Sequence, residues 1–322
     1  MLNGHGDDIH NHGEVKINFS SNVYAHFPHQ GLMEHLKDSL HLIVNYPEPS
    51  PASLEKRLAR CLGILPEQVM VTNGATEAIY LIAKTLYNYT AVIPQPTFSE
   101  YNDACRHCDG KLRMKWICVP NNPTGKVMPK DALIADIITN ADDIFIIDAS
   151  YAAYTDNETL SAVEALAYPN VIMLHSMTKD YGVPGLRLGY ITAQQSLLDK
   201  ISDYRMPWSV NALAIEAGHY LLQHSDQFRM PLRQLLSERQ RMEHELHNIG
   251  ITTHPSDSHM LLCRLPYGTA SGLKQHLVSQ HQILIRDASN FAGLTPQHFR
   301  IAMQTPEENS ILLNALKQYL KK

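Results

Sequence analysis

The sequence predicts an α/β protein in two parts: a large domain on a mostly parallel central sheet, and a small α+β domain. Three observations predict it. Between about residues 51 and 191, short apolar runs alternate with stretches of helical periodicity, the pattern of parallel strands joined by crossover helices. After about residue 205 the texture changes to long polar–apolar helical patterns followed by short strands. The residues with chemical potential, Asn73, Asp148 and Lys179, each follow a predicted strand, where open α/β sheets bind ligands.

Residues 1–30 read as an irregular arm, rich in histidine, that joins the small domain; its scattered acidic partners give no metal-ligand spacing. The large domain spans 31–205, and linker helices with the small domain occupy 206–322. A helix is predicted over 51–62, where Ser50 can cap and Leu54, Leu58 and Leu62 recur at helical spacing. A strand over 69–72 leads directly into Asn73-Gly74-Ala75-Thr76-Glu77 and a helix to about Tyr87. Strands over 91–93, 114–119, 144–147 and 171–175 follow, with helices over 98–108 and 130–140 between them. Arg187 opens a further apolar run through Ile191. Beyond it come helices over 212–224 and 228–248, strands over 251–253, 260–263, 283–285 and 299–301, and helical segments over 270–279 and 306–319.

With 44% hydrophobic and 18% charged residues in 322, the chain can bury a substantial core, which excludes disorder. A formal charge of −5 gives no electrostatic footprint for nucleic acid or an anionic membrane, so anionic ligands must be held locally. The first eight residues lack a basic flank and an apolar core, and no later apolar run is long enough to span a bilayer, so a cytoplasmic protein is expected. Five irregularly spaced cysteines fit reduced thiols, and the lone Cys105-Arg106-His107-Cys108 lacks the second pair that zinc requires.

Ser176-Met177-Thr178-Lys179 lies at the end of the 171–175 strand, and Arg187 follows a turn containing Gly182, Pro184 and Gly185. Serine, lysine and arginine together suit a phosphorylated aldehyde: the amine takes the carbonyl, and hydroxyl and guanidinium take the phosphate. Pyridoxal phosphate is that molecule. Ser-x-x-Lys is also the nucleophile motif of penicillin-binding proteins, but these need Ser-Asp-Asn and Lys-Thr-Gly. The chain offers only Ser202-Asp203-Tyr204 and Lys84-Thr85-Leu86.

The other loops carry parts of the same site. At Asn73-Gly74-Ala75-Thr76 a helix begins, so unsatisfied N–H groups and the helix dipole favour an anion; Gly74 permits close approach and Thr76 adds a hydroxyl. Pro96-Thr97-Phe98-Ser99-Glu100-Tyr101 supplies aromatics that can stack on a flat heterocycle. Asp148 ends an apolar strand, where a buried carboxylate needs a cation such as a pyridinium nitrogen. Tyr151, three residues on, is placed to hydrogen-bond the ring's phenolic oxygen.

These motifs, with Pro120-Asn121-Asn122-Pro123-Thr124-Gly125 and Phe299-Arg300-Ile301-Ala302, stand in the order seen in fold-type I aminotransferases of class I/II, which the chain resembles over nearly its whole length. The resemblance implies the aspartate aminotransferase-like fold of pyridoxal-phosphate-dependent transferases and places the chain near histidinol-phosphate aminotransferases and threonine-phosphate decarboxylases. It implies that Lys179 forms the Schiff base, Asp148 pairs with the pyridinium, and Asn122 and Tyr151 bind the phenolic oxygen. Tyr101 matches the stacking aromatic; Ala75, Thr76, Ser176 and Arg187 match the phosphate cradle. Tyr46 matches a tyrosine that reaches the phosphate of the neighbouring subunit, which implies a homodimer. Arg300 matches the arginine that clamps the substrate carboxylate, and a guanidinium in an apolar run suits that task. Gly4-His5-Gly6-Asp7 resembles a His-Gly-Gly element of the decarboxylases, and 285–294 resembles their segment before the carboxylate arginine. His5 and Arg286 are thereby candidates for a substrate phosphate. The expected activity is decarboxylation of a phosphorylated amino acid; transamination is the alternative, and a non-catalytic cofactor-binding protein the third.

Overall fold

The computed structural model describes residues 6–321. Its largest sheet has six strands in the spatial order Val69–Thr72, Gly189–Ala193, Val171–His175, Ile144–Asp148, Leu112–Cys118, Tyr89–Val92. The last four run parallel to one another; Gly189–Ala193 runs antiparallel to both of its neighbours. That reversal positions the site. In register Gly189 pairs with Thr72 and Tyr190 with His175, so the start of the reversed strand lies beside the ends of the other two. Arg187 and the loops holding Gly74 and Lys179 are thus gathered at one edge.

Four of the strands, Val69–Thr72, Gly189–Ala193, Val171–His175 and Ile144–Asp148, are buried on both faces, which is why they read as continuous apolar runs, whereas Tyr89–Val92 alternates between half-buried and exposed residues. Ile146, Ile172, Leu174 and Ile191 pack with Ile79 and Ile82 of the Gly74–Thr85 helix. Phe145, Ile147, Val171 and Met173 face the other way, onto Leu133 and Ile137 of Lys130–Thr139. A second sheet of four strands orders Arg286–Asp287, His298–Ala302, Met260–Arg264, Thr252–Thr253, all antiparallel. Ile17–Asn18 of the arm pairs in parallel with Ile283–Leu284. The first helix after residue 205, Ala212–Gln223, packs onto Leu32, Leu54 and Leu58 from earlier in the chain.

Four local expectations are corrected. The helix predicted over 98–108 spans only Glu100–Ala104. The chain turns out of it at Cys105 and docks on an earlier segment, where the Asp109 N–H donates to the Tyr87 carbonyl at 2.9 Å and a Cβ on Gly110 would lie 1.6 Å from the Asn88 carbonyl oxygen. Ser50 does not cap the next helix, which runs Ala52–Leu62 behind Pro51; the Glu48 carboxylate instead accepts from the Ser53 N–H at 2.9 Å. The helix predicted from residue 228 begins at Leu232, since Pro231 keeps the preceding residue out of helical conformation. The strand predicted over 283–285 divides, its first half pairing with the arm and Arg286–Asp287 with the second sheet. Among the described residues no helix is long and apolar enough to cross a membrane.

Candidate active site

At the strand ends lies a cavity of about 310 Å³. One side is the turn from Thr72 into the Gly74–Thr85 helix. Gly74 has φ +77°, and a Cβ on it would fall 2.8 Å from Arg187 Nη2, so only glycine lets the guanidinium lie against this helix start. Ala75, Thr76, Ser176 and Arg187 all line this part. So does Thr178, whose buried hydroxyl has no partner. Hydroxyls, a guanidinium and a helix N-terminus make a donor set that suits a phosphate.

Lys179 sits in the short Met177–Asp180 helix that follows Val171–His175. Its amine donates to the Ser21 carbonyl at 3.0 Å, and its own carbonyl accepts from the Tyr154 hydroxyl at 2.9 Å. Burial, reinforced by the Arg300 and Arg187 charges against attraction from Asp7 and Asp148, pulls the amine down to about 8. The neutral, nucleophilic form is therefore accessible near neutral pH.

Asp148 is buried, as its apolar strand required. Its Oδ1 accepts from the Ser150 N–H at 2.9 Å and its Oδ2 from the Tyr101 hydroxyl at 2.6 Å. Tyr101 is fully buried with one face stacked on Trp116 at 4.9 Å, so its remaining surface and Phe98 form the aromatic wall of the cavity. Tyr151 receives a hydrogen bond from Asn22 Nδ2 at 3.2 Å, leaving its own proton for another acceptor; burial raises it to about 12. Asn122 Oδ1 accepts from Arg300 Nη1, and Arg300 Nη2 donates to the Ser20 carbonyl at 2.8 Å. Arg300 is 3% exposed, its Nε has no partner, and burial lowers it to about 9.

Arg286 also lines the cavity, and in the second sheet it is the direct cross-strand partner of Arg300. Two guanidinium groups opposite each other repel; the Arg286 charge adds to burial in lowering Arg300, whereas Arg286 is lowered by burial and held up by Asp287 and Asp8. Tyr46 is elsewhere: it is 85% exposed, beside Trp208 at 5.3 Å, and does not line the cavity. His5 lies outside the described residues.

Sequence reading missed the segment 18–22. Asn18 binds the Asp7 carboxylate, Ser20 the Arg300 guanidinium, Ser21 the Lys179 amine and Asn22 the Tyr151 hydroxyl. Two of these contacts use backbone carbonyls, which carry no sequence signal. The left-handed φ of +55° at Asn22 is the one feature an asparagine hints at.

A sheet of this order, whose reversed strand brings an arginine back beside a lysine of lowered pKa, is that of pyridoxal-phosphate-dependent transferases. The chain belongs to the aminotransferase class I and II family, whose model matches residues 14–118 and 112–316. It is similar to a threonine-phosphate decarboxylase of Salmonella typhimurium, with 30% identity over 94% of this chain and 91% of that one. It is also similar to a histidinol-phosphate aminotransferase of a Thermoanaerobacter species, with 29% identity over 85% of this chain and 84% of that one. The crystal structure of L-threonine-O-3-phosphate decarboxylase from Porphyromonas gingivalis superposes with a TM-score of 0.92 at 34% identity, covering 95% of this chain and all of that one.

Proposed function

We propose that the chain is a pyridoxal-phosphate-dependent decarboxylase of a phosphorylated amino acid of the L-threonine O-3-phosphate type. One observation carries this reading: Arg286 and Arg300, buried as a cross-strand pair facing the cavity that holds Lys179. A like-charged buried pair is costly unless anions compensate it, and a substrate with both a carboxylate and a phosphate supplies two. The similarity to two threonine-phosphate decarboxylases supports the same choice.

When bound, pyridoxal phosphate supplies an aldehyde that condenses with amines and a ring that takes up the electrons of a bond broken at the substrate's Cα. Its phosphate fits the Gly74 turn, with Thr76, Ser176 and Arg187 as donors and the Thr178 hydroxyl as an added one. Asp148 pairs with the ring nitrogen, and Tyr101 and Ser150 keep its carboxylate aimed. Tyr151, with its oxygen already receiving Asn22, donates its proton to the phenolic oxygen, and Asn122 assists. Lys179 would hold the cofactor through its amine and would be the group that moves protons at the substrate's Cα. Arg300 would grip the substrate carboxylate, and Arg286 its phosphate. The placement of these two arginines would set which Cα bond is presented to the cofactor, and so whether carbon dioxide or a proton leaves.

Supplying the purified holoenzyme with L-threonine O-3-phosphate, and separately with histidinol phosphate plus 2-oxoglutarate, tests the reading. Carbon dioxide released without a keto acid is the expected result. Glutamate formation would overturn it in favour of an aminotransferase, which the 29% identity to a histidinol-phosphate aminotransferase makes the second reading. Gly74→Ala is expected to weaken cofactor affinity about tenfold or more, as the methyl displaces Arg187 and the φ strains a residue with a Cβ. Equilibrium dialysis measures this; unchanged affinity would remove the Gly74 turn from the cradle.

The assembly is proposed as a homodimer. Ile43, Val44, Tyr46 and Met206 are 64%, 79%, 85% and 72% exposed, an apolar surface suited to a second copy that brings Tyr46 to the neighbouring phosphate.

A further inference from the structure

Besides its arginines, the cavity wall carries an acid, Asp7. Its φ of +61° lies in the left-handed region, which glycine adopts freely and residues with a Cβ adopt rarely. The His-Gly-Gly element that this segment resembles has glycine here; this chain places a carboxylate instead. The side chain is fixed. The backbone N–H of Asp7 donates to Ser20 Oγ at 3.0 Å, and its Oδ1 accepts from Asn18 Nδ2 at 2.5 Å, which leaves Oδ2 to accept from a ligand.

Charged groups surround it. The Lys179 amine feels the Asp7 carboxylate as an attractive charge. The stem of Arg286 runs beside Gly6, where a Cβ would lie 3.0 Å from Arg286 Cδ. Arg300 approaches through Ser20, whose carbonyl it binds while the Ser20 hydroxyl binds Asp7. Asp8, next in the chain, is spent on Lys274 at 2.6 Å and 2.8 Å and on His12 at 3.2 Å.

We infer that Asp7 is a specificity-determining residue that, with Arg286, makes the cavity select a singly protonated substrate phosphate over the dianion. This deepens the proposed function and rests on its phosphorylated substrate. A phosphate dianion offers acceptors alone, which suit Arg286 and are repelled by a carboxylate. The monoanion keeps one P–OH. That proton is donated to Asp7 Oδ2 while the remaining oxygens accept from Arg286.

Phosphomonoesters lose their second proton near pH 6, so the selection has a pH signature. The test measures kcat/KM for L-threonine O-3-phosphate between about pH 5.5 and 7.5 with wild-type holoenzyme and the Asp7→Asn holoenzyme. An amide can donate to the dianion, so the variant-to-wild-type ratio is expected to rise about tenfold across this window. A flat ratio overturns the inference, because a purely structural role for Asp7 shifts both pH arms equally. Asp7→Gly, which suits the backbone, is expected to raise the ratio likewise and guards against a misfolded amide variant. The same titration read as substrate-induced absorbance change separates the two claims. Carbon dioxide release with a flat ratio overturns the role of Asp7 and keeps the decarboxylase. A pH-dependent binding ratio without carbon dioxide overturns the decarboxylase and keeps Asp7. No binding at any pH overturns both.

Discussion

Lys179→Ala is expected to lower kcat by at least about 10⁴-fold, since it removes both the covalent anchor of the cofactor and the group that moves protons at Cα. The visible absorbance that depends on the lysine–cofactor link should vanish. A weaker, noncovalent affinity should persist, because the Gly74 turn, Ser176 and Arg187 are untouched. Spectra and equilibrium dialysis read these two effects separately, and an unchanged spectrum would refute the role of Lys179. A pH dependence accompanies the wild type. Only the neutral amine attacks an aldehyde, and burial with the neighbouring guanidinium groups brings this amine down to about 8. Cofactor capture by the cofactor-free protein should therefore quicken as pH rises toward 8 and level off above it, instead of climbing toward the ordinary lysine value of about 10.4.

The second large effect is at Arg300. A buried charge-assisted contact to a ligand anion contributes about 2–5 kcal/mol, so Arg300→Ala is expected to reduce kcat/KM by about 30- to 4,000-fold while the cofactor still loads. The loss is enlarged because Asn122 Oδ1 and the Ser20 carbonyl give up their donor. Arg300→Lys keeps the charge and loses the planar fork, and should fall between. A separate readout distinguishes the proposed role from a packing defect. Arg300 is the largest charge lowering Lys179, so the midpoint of cofactor capture should move above 8 in the alanine variant. A KM unchanged in both variants would exclude Arg300 from binding the substrate.

Much of the site was legible because particular residues sat at strand ends. Asp148 after Ile144-Phe145-Ile146-Ile147 and Lys179 after Val171–His175 are examples: an apolar strand ending in a charge is a sequence-level signal, and both side chains reach the cavity. At Gly74 the glycine between strand and helix was read as room for a phosphate, and what lies against it in the fold is the Arg187 guanidinium. The early end of the Glu100–Ala104 helix was not legible; the segment that follows it packs on Tyr87 and Asn88, residues of an earlier turn. Nor was the work of residues 18–22, a polar stretch with no period whose carbonyls hold Lys179 and Arg300.

By itself the sequence determined the alternating architecture and which polar and charged residues stand after each strand, since periodicity and local residue type encode both. Tertiary structure alone decided three things: that Gly189–Ala193 runs backwards and so sets Arg187 beside Gly74 and Lys179, that Arg286 stands opposite Arg300, and that Asp7 faces the same cavity. The physical reason is common to all three. Strand direction, cross-strand register and the docking of an arm join residues distant along the chain, and Coulomb interactions between them depend on distance in space.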